Sequence, residues 1–360
     1  MYFCDSGSPS AALKAGKAFQ TRMILSQRYI RIWLLSGIVL VCTMVIIGGI
    51  TRLTGSGLSI VEWKPVTGII PPLNAADWQA EFDKYKEFPQ YKLMNQHMTL
   101  AEFKQIYFWE YIHRLLGRLI GIAFIVPFIF FIYKRWISKK LMRSLLFVFL
   151  LGGLQGFVGW YMVKSGLDKL PYVSHYRLAI HQGMALLLAV ALVWIMLSLN
   201  KQRREAVPSR VLWNTSLISF VLLAVQITWG AFVAGLKAGY SYTNFPWVGD
   251  SFFPNEYLVA SAPYFHNGVL IQFTHRWLGF LVLISFAVLY FLARKANILR
   301  SAAGLLLVLG GMQVVLGIFT LLMSVPIFLG VAHQFTAILL LITLIKIIHS
   351  QVYTPSNAVK

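Results

Sequence analysis

Long uncharged runs alternate with short basic turns along most of this chain. Ile32 to Ile50, Ser144 to Val163, Leu178 to Asn200 and Val211 to Leu236 contain no Asp, Glu, Lys or Arg. At about 1.5 Å per helical residue each is long enough to cross about 30 Å of hydrocarbon. Phe108 to Tyr133 and Asn267 to Leu292 are as apolar except in their polar first turns. The charge-free run from Ser301 to Ile345 is about twice one crossing, so it must fold back, and Ser324-Val325-Pro326 is the predicted turn. The pattern predicts eight transmembrane helices. Between the first two, Asn74 precedes Ala75 to Lys86, where Trp78, Phe82 and Tyr85 fall at helical spacing. That predicts an N-capped surface helix. Thr99-Leu100-Ala101-Glu102 has the form of a capping box and predicts a helix running on into the second span.

Composition agrees with the pattern: 58% hydrophobic and 12% charged residues describe a polytopic membrane protein. The formal charge of +20 does not point to nucleic acid, because of where the cations lie. Lys14 to Arg31, Lys134 to Arg143, Lys201 to Arg210, Arg294 to Arg300, Lys346 and Lys360 together hold 19 Lys and Arg against only Asp5 and Glu205. The remaining loops carry 8 Lys against 9 acids. This positive-inside bias puts both termini on the cytoplasmic side of eight spans. Cys4 and Cys42 fall in different environments, so no disulfide is expected. The N-terminal tail has no apolar signal core, so the first span is expected to act as an uncleaved anchor. A bacterial cytoplasmic membrane suits these features, and a mitochondrial inner membrane is the alternative.

The chain also repeats itself. Glu110-Tyr111-Ile112-His113-Arg114-Leu115-Leu116-Gly117 returns as Gln272-Phe273-Thr274-His275-Arg276-Trp277-Leu278-Gly279, 162 positions on. Gly152-Gly153-Leu154-Gln155 is answered by Gly310-Gly311-Met312-Gln313, and His181-Gln182 by His333-Gln334. Gly48, Gly57 and Ser59 recur as Gly230, Gly239 and Ser241, each 182 positions on. The expected fold is all-α, with eight transmembrane helices in two pseudo-symmetric four-helix bundles related by an axis along the membrane normal. The divisions are a cytoplasmic tail over 1–30, an N-terminal half over 31–200 with a long outer loop at 54–107, an inner linker at 201–210, a C-terminal half over 211–348, and a tail over 349–360. The outer loop reads equally as a lid or as a substrate contact.

His113, His181, His275 and His333 open the second, fourth, sixth and eighth spans. Those spans run the same way, so the four imidazoles share a depth near the outer face. Facing pairs of imidazoles at one depth suit axial ligation of a planar iron macrocycle, with nearby glycines making room for the ring. Zinc suits them less, since no cysteine or close histidine pairing accompanies them. His97, His175, His266 and His349 are expected at solvated ends. Three residues before the ligand histidine, the first half has Glu110 and the second Gln272, on nearly the same helix face. A carboxylate can exchange a proton or stabilise a developing cation, and an amide cannot. The first site is therefore the candidate for chemistry and the second for electron storage, while a simple ion pair of Glu110 with Arg114 is the competing account. For Arg114 and Arg276, charge-assisted binding of haem propionates and snorkelling to the headgroups both stand.

The run Gly48 to Ser59, Trp63-Lys64-Pro65, Pro71-Pro72, Glu110-x-x-His113-Arg114, His181, Gln272-Phe273-x-His275-Arg276, Thr320-Leu321-Leu322, Val325-Pro326 and His333-Gln334 resembles haem A synthase over about residues 30 to 350, in its proteobacterial and mitochondrial-type branch. The resemblance implies oxidation of the C8 methyl of haem O to the formyl of haem A. His113 and His181 would hold the substrate haem, Glu110 would lie near the reacting edge, and His275 and His333 would hold a haem b cofactor. It also implies contact with the prenyltransferase that makes haem O, a ferredoxin or quinol as electron donor, surrounding membrane lipid, and compatibility with a homo-oligomer. Another branch carries a cysteine pair in the first outer loop, which this chain lacks, and Thr274 stands where an acid is often found. A quinone-linked di-haem b electron carrier and a haem-binding chaperone or exporter are the rival readings. The carrier needs haems at different depths.

Overall fold

The computed structural model describes residues 9–64, 67–168, 170–199, 201–203, 209–255 and 259–355. Cys4, Pro65 and Glu205 lie outside them. Ten helices organise these residues: α1 (Pro9–Leu53), α2 (Ala75–Lys86), α3 (Pro89–Met94), α4 (Leu100–Tyr133), α5 (Lys139–Lys164), α6 (His175–Ser198), α7 (Arg210–Gly235), α8 (Gly268–Lys295), α9 (Arg300–Leu322) and α10 (Ile327–Val352). Eight are long and apolar enough to cross a membrane, and the chain is a multi-pass membrane protein.

Polar side chains at the interfaces start these helices by satisfying backbone N–H groups that have no partner in the first turn. Asn74 accepts from the Asp77 amide at 2.9 Å. Thr99 and Glu102 form the reciprocal capping box at the head of α4. Ser138 caps α5, Ser209 caps α7, and Asn267 caps α8. α4 begins at Leu100, where the Thr99 capping box predicts it, and runs on into the second span, and α1 is helical from Pro9 onward.

Within the membrane, α1 packs against α4 and α6, α5 against α6, α7 against α8 and α10, and α9 against α8 and α10. One apolar core gathers Ile30, Leu34, Phe131, Leu145 and Leu192 from the first four spans. A second gathers Leu212, Phe286, Leu306 and Leu344 from the last four. α6 against α7 and α10, and α1 against α10, join the two groups.

Outside the membrane, α2 and α3 sit on the extended head of α4 through Phe82, Tyr85, Phe103 and Tyr107. The Tyr85 hydroxyl donates to Gln90 Oε1 at 3.0 Å and accepts from Asn95 Nδ2 at 2.7 Å. Burial pushes it up to about 12, so it remains a donor at any physiological pH. Past the ends of α6 and α10, Lys201–Arg203 pairs antiparallel with Tyr353–Pro355, a small strand pair absent from the all-helical expectation.

Two histidines expected at solvated ends are buried. His175 is 8% exposed and packs on Phe232 and His266. His349 is fully buried, bonded to Ser198 Oγ at 2.9 Å and stacked on Tyr353. Their positions at helix ends hid this, because the neighbouring segments fold over them.

The fold-back between α9 and α10 is the expected one, with Ser324 at φ 57° and Val325 at φ 59°. For L-residues the left-handed region costs about 1–2 kcal/mol each. Ser324 is exposed, so Ser324→Gly should gain about 0.5–1 kcal/mol after the extra entropy of glycine is allowed for. The measurable outcome is a higher thermal midpoint of the detergent-solubilised protein, and a lower one contradicts the strain argument.

Candidate functional site

Each of the four span-opening histidines rests on a glycine of a neighbouring helix. A Cβ on Gly48 of α1 would lie 3.1 Å from Cε1 of His113, and one on Gly159 of α5 would lie 3.0 Å from Cε1 of His181. Gly230 of α7 and Gly317 of α9 stand in the same relation to His275 and His333, at 3.1 and 2.9 Å. Every one of these glycines is five residues before the end of its helix. The four seats therefore stand at equivalent positions on their helices. A methyl group in any of these seats would meet the ring closer than ordinary van der Waals contact, so the missing side chain sets how far each imidazole reaches.

Glutamines on three of the four glycine-bearing helices meet the histidines edge-on. Gln155 Nε2 donates to the His181 carbonyl at 3.1 Å and lies 3.3 Å from its Nδ1. Gln226 Nε2 donates to the His275 carbonyl at 3.0 Å and lies 3.5 Å from the ring. Gln313 presents its backbone carbonyl to His333 Nδ1 at 3.1 Å. In His333, Nδ1–H bound to that carbonyl leaves Nε2 as the nitrogen free to bind a metal, with the Gln313 amide 3.4 Å from it. Sequence reasoning did not assign these amides a role. The signal for them was the repeated Gln-x-x-x-Gly spacing, which puts amide and glycine on one helix face.

A second layer holds the outer loops down. Arg114 donates to the carbonyls of Ile60 and Glu62 at 2.6 and 2.8 Å and to Glu110 Oε1 at 2.7 and 3.1 Å. Arg276 donates to the carbonyls of Tyr242 and Asn244 at 2.9 and 3.1 Å, to that of Trp247, and to Gln272 Oε1 at 2.8 Å. Tyr242 and Asn244 stand 182 positions after Ile60 and Glu62, so this staple is itself duplicated. Arg114, with its side chain 11% exposed, does not snorkel to solvent.

The Glu/Gln exchange follows the polarity of the loop each residue meets. Glu110 Oε2 accepts from Ser59 Oγ at 2.7 Å and from the Ile60 amide at 2.8 Å. With Arg114 on its other oxygen, all its neighbours are donors, which suits a carboxylate. Gln272 Nε2 instead donates to the carbonyls of Ala238 and Tyr242 at 2.8 and 3.1 Å. Only an amide can give to those and still accept from Arg276. The ion pair considered for Glu110 is present, together with a tie to the loop.

A bis-imidazole ligand set requires a particular spacing. Metal–nitrogen distances of about 2 Å put two axial imidazole centroids about 6 Å apart. The rings of His275 and His333 are 6.4 Å apart at 77°, a spacing that matches two axial ligands of one iron. His113 is within electrostatic reach of His181. Among the described residues no cluster of three or more His, Cys, Asp or Glu offers a bare metal ion a ligand set. A cavity of about 480 Å³ lies under the first outer loop, lined by Tyr107, Tyr111, Arg114, Arg118, Lys64 and Lys84 among others. Lys64 and Lys84 hold the Glu62 carboxyl there below its usual range. Thr274 bonds the Tyr264 hydroxyl at 2.7 Å, which also accepts from Trp229 Nε1.

Comparison with known proteins agrees over nearly the whole chain. The family model COX15-CtaA, described as cytochrome oxidase assembly protein, matches residues 31–345. A protein of Rhizorhabdus wittichii named heme A synthase is 47% identical over 321 residues, covering 87% of this chain and 91% of its own. Those of the same name from Bradyrhizobium diazoefficiens and Parvibaculum lavamentivorans are 45% and 46% identical, covering 87% and 84% of this chain and 89% and 88% of theirs.

Two substitutions test the geometry. Gly230→Ala should push His275 out of register and lower the haem content of the purified protein while its far-UV circular dichroism is unchanged. Undiminished content refutes the glycine seat. Gln272→Glu would face a carboxylate with two carbonyl oxygens and should destabilise the fold by about 1–3 kcal/mol, read as a lower thermal midpoint.

Proposed function

This chain belongs to the COX15-CtaA family of cytochrome oxidase assembly proteins, and on that premise we propose that it is a haem A synthase. It is an oxidoreductase that converts the C8 methyl group of haem O to the formyl group of haem A. The observation that carries the reading is the 42–47% identity to relatives of that name over most of both chains. Two histidine pairs at one level, each ring seated on glycine, support it from the side of the structure.

In this reading His113 and His181 hold the substrate haem, and His275 and His333 hold haem b. When bound, haem b supplies one-electron chemistry beside the substrate. The glycine seats fix how far the imidazoles extend, and the apolar spans keep bulk water out. Arg276, whose Nε is buried without a hydrogen-bond partner, and Arg114 supply the cations for haem propionates while they pin the loops. Glu110 is the fixed negative charge on the His113 face.

The proposed organisation is an N-terminal half (31–200) for substrate, a linker (201–210) and a C-terminal half (211–348) for haem b. The proposed setting is the bacterial cytoplasmic membrane with both termini inside. The partners assigned are the haem O-making prenyltransferase and a ferredoxin- or quinol-type donor. The common level of the four glycines disfavours a transmembrane di-haem carrier, which needs one haem near each face.

Pigment extracted from cells expressing the chain with and without the prenyltransferase tests the enzyme reading. Haem A is expected only with it, and its absence in both cases favours a chaperone or exporter. Glu110→Gln should retain haem b and lose haem A formation. Unchanged haem A yield refutes the role given to Glu110.

A further inference from the structure

The four histidine seats are alike except at one position. One turn before the glycine, three helices carry Gln155, Gln226 and Gln313, and α1 carries Met44. Met44 occupies the same place as its counterpart. Its Cε lies 3.5 Å from the Cβ position of Gly117, four residues after His113, and Gln226 Nε2 lies 3.2 Å from that of Gly279, four residues after His275. The amides reach the backbone or ring of their histidines. A thioether has no hydrogen to donate and turns freely about its side-chain bonds. Nδ1 is buried with no hydrogen-bond partner in His113 and in His275 alike, so what sets His113 apart is the missing amide, which for His275 reaches the backbone carbonyl at 3.0 Å.

Hydrogen bonds around a ligating imidazole fix its orientation, and their loss typically costs 10–100-fold in metal affinity. A site that must accept one haem and release another gains from a loosely held ligand, and a resident-cofactor site does not. We propose that Met44 is a positioning residue that makes the first haem site exchangeable, by withholding from His113 the amide contact that the other three histidines receive at backbone or ring. This rests on the reading that the first half binds substrate and the second a resident haem. This departure thus falls on the helix that seats His113, and of the two histidines of that site it is His113 that is left loose, since His181 keeps Gln155.

The test uses the full-length protein in detergent, loaded with ferric protoporphyrin IX, with excess apomyoglobin as acceptor. Release is followed by absorbance, and the phases are assigned by their loss in His113→Ala and in His275→Ala. The His113-dependent phase should be the faster. Met44→Gln should slow it about 10- to 100-fold, and the reciprocal Gln226→Met should speed the His275-dependent phase by a similar factor. An unchanged His113-dependent phase in Met44→Gln overturns the inference and leaves the haem-site reading standing. Equal slowing in Met44→Leu, which matches the size without a donor, also overturns it, since the amide would then not be the cause. Two phases surviving in His113→Ala would sink the site reading together with the inference. Should Met44→Gln fail to assemble, Gln226→Met decides alone, and an unaccelerated His275-dependent phase is the refuting result.

Discussion

A guanidinium held by backbone carbonyls just past a ligand histidine is the constraint on which the outer half of this molecule depends. A charged group at mid-bilayer costs about 2.5–3.5 kcal/mol on insertion scales, and Arg114 and Arg276 sit in spans that also carry the imidazoles. Their charge is met by loop oxygens at Ile60 and Glu62 in one case and at Tyr242 and Asn244 in the other. The bond works in both directions. The loop gains a fixed seat over the histidines, and the arginine gains acceptors that water would otherwise supply.

From that staple the difference between the halves takes a different light. An acid in one half and an amide in the other invites a division into chemistry and storage. The hydrogen bonds supply a second, local reason: Ile60 offers its N–H to Glu110, while Tyr242, its repeat counterpart, offers its carbonyl to Gln272. Each side chain is the one its loop can satisfy. A carboxylate selected for the loop geometry is also a fixed negative charge beside the first histidine, so structure and proposed chemistry draw on one atom group.

Spans, caps and histidine level were legible because they depend on periodicity and local spacing. The lengths of the apolar runs, the Asn74 cap, the Thr99 capping box and the Ser324-Val325-Pro326 fold-back all involve residues close in sequence. What could not be read depends on which way a distant backbone turns. Nothing in the string Ser59-Ile60 tells that its donors face Glu110 while Tyr242 turns its acceptor to Gln272. Burial of His175 and His349 was hidden for the same reason, since Phe232 and Ser198, which meet them, belong to other helices. The bonds of the arginines to loop carbonyls went unread because side-chain type alone is silent about them.

Gly48 and Gly49 lie back to back on α1. The first abuts His113, and the second would place a Cβ 2.9 Å from Oε1 of Gln334, the neighbour of His333, while Gln334 Nε2 donates across to the Val45 carbonyl at 3.1 Å. One helix is thus the party wall between His113 on one side and Gln334 on the other, thin on both sides. The halves, though copied from one template, are not free-standing modules. A C-terminal half expressed without α1 would leave the Gln334 amide with no carbonyl to bind and open the flank of its own compartment to lipid. Divergence after duplication was therefore tied: a bulkier residue on either face of this wall is felt by the compartment behind it.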